Sequence, residues 1–244
     1  MEKNVWVYWT GQKPQLIDIL LNLIKQHSQN GRGYNLNLLD DAHLSEFMKI
    51  PPYFNKLNGA HKADYIRVKV VKKYGGIWLD ADTLVMSDLS RLFEYIQKKD
   101  GFLILENGKH LINGVFGSKK ETELMKEWEK QMEDILKKKE EKIEWNEIGS
   151  RILDAIRKKN PEYMERYQII NGLENMYRVN WKDAPKVYYS ENKEWYEQMK
   201  GDELQILVGE VYKEWERREI IGEKTVLYRL IAKSSRNLEK GKKI

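Results

Sequence analysis

Asp80 and Asp82 stand one residue apart, just where an apolar run, Gly76-Ile77-Trp78-Leu79, stops. Two carboxylates at that spacing can reach one hard divalent cation, because Mg²⁺ and Mn²⁺ prefer carboxylate oxygen. Upstream, Asp64 and Arg67 are three apart in a helical pattern and so share a face. The set offers two acids for a metal, one acid for hydroxyl groups, and a planar fork of donors for hydroxyls or phosphate. That combination suits a ligand carrying both a sugar and a phosphate. The competing readings are a solvated acid pair and an ordinary i,i+3 ion pair, worth a few tenths of a kcal/mol.

These residues need a helix, a tight turn and a buried strand to bring them together. The pattern predicts a helix over Ala60–Lys73, closed by Lys72-Lys73 in its last turn and by Gly75-Gly76 beyond it. Thr83-Leu84-Val85 is again strand-like, so the acids interrupt a core element, where unpartnered charge is costly. Earlier, Asn4–Trp9 reads as a strand, Pro14–His27 as a helix and Tyr34–Leu39 as a strand ending at Asp40-Asp41. That order predicts a βαβ unit and a parallel sheet. In such sheets ligands gather at the carboxyl ends of strands, where Trp9, Asp80 and Asp82 lie.

The segment Ala63-Asp64-Tyr65-Ile66-Arg67, followed by Tyr74-Gly75-Gly76-Ile77-Trp78-Leu79-Asp80-Ala81-Asp82, resembles the D-x-D-containing sugar transferases with a GT-A nucleotide-diphospho-sugar fold. That group includes capsular polysaccharide synthesis proteins, the initiating α-mannosyltransferase type (family 32-like) and the catalytic domains of large glucosylating toxins. Val5-Trp6-Val7-Tyr8-Trp9-Thr10-Gly11 is similar to the family's first strand and its aromatic-then-glycine turn. Ile112-Asn113-Gly114-Val115-Phe116 is similar to the strand that presents an Asn to the donor sugar, and Ile148-Gly149-Ser150 sits where the family often has Gly-Pro.

The resemblance implies an α/β fold with a mainly parallel central sheet flanked by helices. It implies a retaining, metal-dependent hexosyltransferase with a UDP-sugar donor, Mn²⁺ or Mg²⁺, and a surface polysaccharide or lipid-linked glycan as acceptor. Asp80 and Asp82 would hold the metal, Asp82 more directly. Asp64 and Arg67 would serve the donor's hydroxyls or phosphate, and Asn113 the donor sugar. Trp9 would stack on the uracil, with Thr10 beside it. Trp78 points opposite to Leu79, toward the donor or into the core. Trp195, with Glu191 and Asn192, lies in a polar-aromatic stretch that could close over the diphosphate. Two rivals stay open: a toxin-like transferase with a protein acceptor, and a nucleotide-sugar-binding module without activity.

Hydrophobic residues make up 41% of the 244, enough for a sizeable core. No run of about 18 apolar residues exists, and no leader pattern opens the chain, so a cytoplasmic protein is expected. Zero cysteines exclude disulfides and Cys-ligated zinc, and the four histidines form no metal-binding pair. The net charge of +5 is concentrated late, from Lys224 to Lys243. The expected division is therefore a transferase domain over 1–223 and a basic segment over 224–244. Val226-Leu227 and Leu230-Ile231 give that segment an apolar side, which suits peripheral contact with anionic lipid. No motif accompanies the charge that would suit nucleic acid. Further on, helices are expected over Glu121–Glu140, Glu147–Lys159 and Gln205–Arg218, and short strands over Gly101–Leu105, Gly114–Gly117 and Tyr167–Ile170.

Overall fold

The computed structural model describes residues 2–29, 33–106, 108–138, 143–172, 176–177, 182–198, 204–207, 209–218 and 222–241. Asn30-Gly31-Arg32-Gly33, which reads in the sequence as a turn, lies outside them but for Gly33, as do Lys242 and Lys243 of the basic segment. The chain divides into two units, one of residues 1–11, 34–80 and 90–170, the other of 12–33, 81–89 and 171–244.

The elements, in chain order, are β1 (Asn4–Tyr8), α1 (Gln15–Gln29), β2 (Asn35–Leu39), α2 (Leu44–Phe47), α3 (Gly59–Tyr74), β3 (Gly76–Leu79) and β4 (Thr83–Val85). Then come α4 (Ser90–Lys98), β5 (Gly101–Glu106), β6 (His110–Ser118), α5 (Glu123–Lys138), α6 (Ser150–Lys159), α7 (Pro161–Glu165) and β7 (Tyr167–Asn171). The last are β8 (Met176–Tyr177), α8 (Ala184–Tyr188), α9 (Lys193–Gln198), β9 (Leu204–Ile206), α10 (Gly209–Arg217) and α11 (Val226–Gly241).

The first unit is built on a six-stranded sheet in the order β2-β1-β3-β6-β5-β7. β1 runs parallel to β2, pairing Tyr8 with Leu39, and parallel to β3, pairing Trp6 with Trp78. β6 runs against β3 and β5, so β2, β1, β3 and β5 share one direction. The fold is thus α/β with a mainly parallel sheet, as expected. The strand expected at Gly114–Gly117 is longer, because β6 folds back on β5 as a hairpin; turn-mediated pairing extends it to His110.

Helix α3 carries Asp64 and Arg67. It starts where Asn58 Oδ1 accepts from His61 N (2.9 Å), capping one of the otherwise unpaired first-turn amides. It ends at Gly75, whose φ of +71° suits glycine, and whose carbonyl accepts from buried Trp6 Nε1 at 2.9 Å. Between these ends Ile66, Val68, Val70 and Val71 are fully buried, each stabilising by about 1.5–3 kcal/mol. Gly76 admits no other residue: φ is +113°, and a Cβ there would stand 2.3 Å from the Asn4 carbonyl oxygen. That close approach sets β3 beside β1.

On its far side α3 meets α5 through a half-buried network. Lys69 Nζ reaches Glu129 (2.7 Å) and Glu133 (3.3 Å), Lys72 Nζ reaches Glu129 (3.0 Å), and Tyr53 Oη donates to Glu133 (2.6 Å). The helix is therefore gripped on two faces.

The second unit holds a three-stranded sheet, β4-β9-β8, with β4 antiparallel to β9. Residues 204–206 are strand where Gln205–Arg218 read as helix; long-range pairing with Thr83–Val85 overrides local propensity, and the helix starts only at Gly209. Helix α11 comes from the basic segment, and Val226, Leu227 and Leu230 on it are at most 1% exposed. Ser234 Oγ donates to the Val85 carbonyl (2.6 Å) and meets His27 Nε2 (3.0 Å). The apolar side expected to meet lipid is thus spent inside this unit. Among the described residues no helix is long and apolar enough to cross a membrane.

Candidate functional site

Because β1, β2 and β3 run parallel, their carboxyl ends share one edge of the sheet. β3 ends at Leu79, and the next amide, Asp80 N, donates to Gly114 O (2.8 Å), extending the ladder with β6 by one residue. Asp80 and the Asn113-Gly114 pair are therefore brought together by strand register. A Cβ at Gly114 would lie 2.6 Å from Asp80 Oδ2, so this glycine leaves the space that the carboxylate occupies.

Arg67 is the hub. Its Nη2 donates to Asp80 Oδ1 (2.8 Å), its Nη1 donates to Asn113 O (2.7 Å) and pairs with Asp64 Oδ1 (3.2 Å), and its Nε donates to Ala63 O (3.2 Å). Its guanidinium lies 5.2 Å from the centroid of the Trp78 ring. Trp78 Nε1 also donates to Asp80 Oδ1, at 2.8 Å. Of the two directions open to Trp78, it takes the buried one and is 0% exposed. Its contact with the site is a grip on Asp80 and a platform for Arg67.

Asp64 is 6% exposed, and Asn113 Nδ2 donates to its Oδ1 at 2.7 Å. Burial pushes its carboxyl up, Arg67 pulls it down and the charge of Asp80 pushes it up again, to about 6. One guanidinium thus faces two carboxylates. The charge of Asp80 opposes ionisation of Asp64, which adds to the effect of burial.

Gly149 closes this cluster from the loop before α6. A Cβ there would stand 2.2 Å from Asn113 Nδ2 and 3.2 Å from Asp64 Oδ1. The sequence marks Gly149 only by its place in Ile148-Gly149-Ser150; its close approach comes from tertiary packing. A second polar cluster occupies the ends of β1 and β2. Asp41 accepts from Tyr8 Oη (2.5 Å) and Thr10 Oγ1 (3.0 Å) and pairs with Lys62 Nζ (2.6 Å). Those three partners hold its carboxyl below the usual range despite burial. Asp41 escapes sequence reasoning because nothing local separates it from its neighbour Asp40. Trp9, at the same edge, is half-buried.

The first unit therefore assembles Asp64, Arg67, Trp78, Asp80 and Asn113, and carries Trp9 and Thr10 at the end of β1. Asp82 and Trp195 belong to the second unit. There Asp82 is half-buried and its charge helps raise the Tyr212 hydroxyl, after burial. Trp195 is half-buried on α9. Among the described residues no three His, Asp or Glu side chains cluster as a metal cage.

This sheet, with an acid at the end of β3 braced by an Arg on the preceding helix, has the GT-A glycosyltransferase fold. The glycosyltransferase GlyE of Streptococcus pneumoniae TIGR4 shares it, with a TM-score of 0.54 and 16% identity over 98% of this chain and 62% of that one. So does the bifunctional WbbM, with a TM-score of 0.52 and 12% identity over 100% of this chain and 52% of that one. A third likeness is a glycosyltransferase involved in glycosylation of the major capsid of PBCV-1, with a TM-score of 0.51 and 12% identity, covering 88% of this chain and 100% of that one. The chain thus spans about 62% of GlyE and 52% of WbbM. Residues 1–235 match the capsular polysaccharide synthesis proteins, and the chain belongs to that family. No curated protein matches it in sequence.

Proposed function

We propose that the chain is a metal-dependent glycosyltransferase that moves a hexose from a UDP-sugar, with retention, to a growing surface polysaccharide or a lipid-linked glycan. The observation that carries this reading is the buried Asp64 carboxylate, held by Arg67 and Asn113 beside Asp80 at the carboxyl edge of a GT-A sheet. A carboxylate held rigidly in a low-dielectric site is a strong acceptor for hydroxyl protons. Asp64 would take those of the donor sugar and Asn113 would face the same sugar. Trp9 would cover the base with Thr10 beside it, and Trp195, on α9, would be a further donor contact. Arg67, already engaged by protein oxygens, would keep both acids in place.

The residues fit a divalent metal. Asp80 and Asp82 would offer it hard carboxylate oxygens. An ion of the Mg²⁺ or Mn²⁺ type needs only one or two carboxylates beside waters and substrate phosphates. When bound, it would stabilise the charge developing on the departing diphosphate as a Lewis acid. The reading extends to a cytoplasmic site of action, with the basic residues from Lys224 onward touching anionic lipid through charge alone.

The test is release of UDP from UDP-sugars, with Mn²⁺ or Mg²⁺ and with a chelator, for the parent and Asp82→Asn. The expected outcome is metal-dependent release that falls at least about 100-fold in the variant, roughly 2.7 kcal/mol or more of transition-state stabilisation. Asp82→Asn within a few-fold of the parent removes the metal assignment. No release from any nucleotide sugar removes the enzyme.

A further inference from the structure

We propose that Trp145 is a stacking platform for a pyranose ring of the glycan acceptor, a role that rests on the transferase reading above. Trp145 is 76% exposed, whereas Trp6, Trp78 and Trp128 are at most 2% exposed. An indole left in water on a mobile tip would mean little. This one rides on a turn fastened from within and from beneath. Glu144 N donates to Glu147 Oε2 (2.8 Å), Glu147 N donates to Glu144 O (3.1 Å), and Arg151 Nη2 pairs with Glu144 Oε2 (2.5 Å). Below the turn, buried Trp128 Nε1 donates to Ile148 O at 3.1 Å. The ring is presented by a fixed backbone, which lowers the ordering cost of binding.

The turn also borders the reacting centre. His61 Nε2 lies 3.1 Å from Glu144 O, one helical turn before Asp64 on α3. Four residues past Trp145, Gly149 packs on Asp64 and Asn113. If those two hold the donor sugar, an acceptor must arrive beside them, because its hydroxyl attacks the carbon that they present. The chemistry of the turn matches such a guest. A pyranose offers a face of C–H groups that lies on an aromatic ring, and a rim of hydroxyls that needs planar polar partners. Glu144 and Asn146 flank the indole and are exposed.

The experiment uses the full chain, ¹⁵N-labelled, with the Trp145 indole N–H signal assigned by its absence in Trp145→Phe. The probes are the methyl α- and β-glycosides of glucose, galactose and N-acetylglucosamine. The expected result is a saturable shift of the Trp145 signal with at least one of them. Trp145→Ala should weaken that binding at least about tenfold and Trp145→Phe less, since a ring remains. The melting temperature of Trp145→Ala should match the parent, because little is buried there. A panel that leaves the Trp145 signal in place overturns the proposal. So does a signal moved only by phosphatidylglycerol vesicles, or a binding loss accompanied by a lowered melting temperature. Stabilisation of the parent by UDP-sugar with Mn²⁺ is read separately. If that fails while Trp145 still takes a glycoside, the transferase reading falls and the carbohydrate site stands.

Discussion

Replacing Asp64 by Asn should make the protein more stable at neutral pH and leave it unable to use donor. Asparagine keeps the shape and the oxygen that accepts from Asn113 Nδ2, but carries no charge. Burial raises the Asp64 carboxyl from 3.8 to about 6, against the pull of Arg67. A carboxyl raised by folding binds protons more tightly in the native state than in the unfolded chain. Its contribution to stability is therefore full below pH 4 and is lost as pH climbs from about 4 to about 6. At about 1.4 kcal/mol per pH unit, that rise corresponds to about 3 kcal/mol lost by the parent across the window. The Asn variant lacks this slope, so the stability difference, variant minus parent, should grow by about 3 kcal/mol between pH 4 and pH 7.5. Urea unfolding of both proteins at several pH values, with a chelator present, measures it directly. Parallel stability curves, with a difference constant to about 0.5 kcal/mol, would show that Asp64 is not held at a cost and would refute the reasoning.

Gly149→Ala should push Asn113 off Asp64, since the new methyl would overlap its amide; donor turnover should fall by about tenfold or more, with binding of free UDP changed far less. Equal losses in turnover and UDP binding, by calorimetry, would mean that the loop merely supports the fold. Lys224 and Arg236 are exposed in the basic segment, and each could contribute about 1 kcal/mol at an anionic surface. Sedimentation with phosphatidylglycerol vesicles should therefore be salt-sensitive for the parent and lost on charge reversal of both; no sedimentation of the parent at low salt discards the lipid contact.

Helix α3 was legible because its closing signals are local: the lysines of the last turn and Gly75 lie within a few residues of its end, whereas the Asn58 cap shows only in the structure. The end of β3 was legible for the same reason. The direction of Trp78 was not. Ile77, Trp78 and Leu79 are each 0% exposed, so both faces of the strand are covered and alternation has no wet side to report. β9 stayed hidden because its partner, β4, lies more than a hundred residues away, and short-range propensity favoured helix. Gly149 could be noticed in the sequence but not interpreted. Its use depends on two side chains, Asn113 and Asp64, brought to it by other elements.

Gly75 and Gly76 each hold their place in the Tyr-Gly-Gly signature for a different backbone reason. One glycine turns the chain at φ +71°, and the other lets β3 slide past the Asn4 carbonyl at a distance that no side chain survives. Neither touches the acids that follow. Loss of Asp80 would strand the buried donors of Arg67 and Trp78, and loss of either glycine would cost the strand pairing itself. The two glycines are thus constrained by backbone geometry alone, whatever chemistry the acids after them perform.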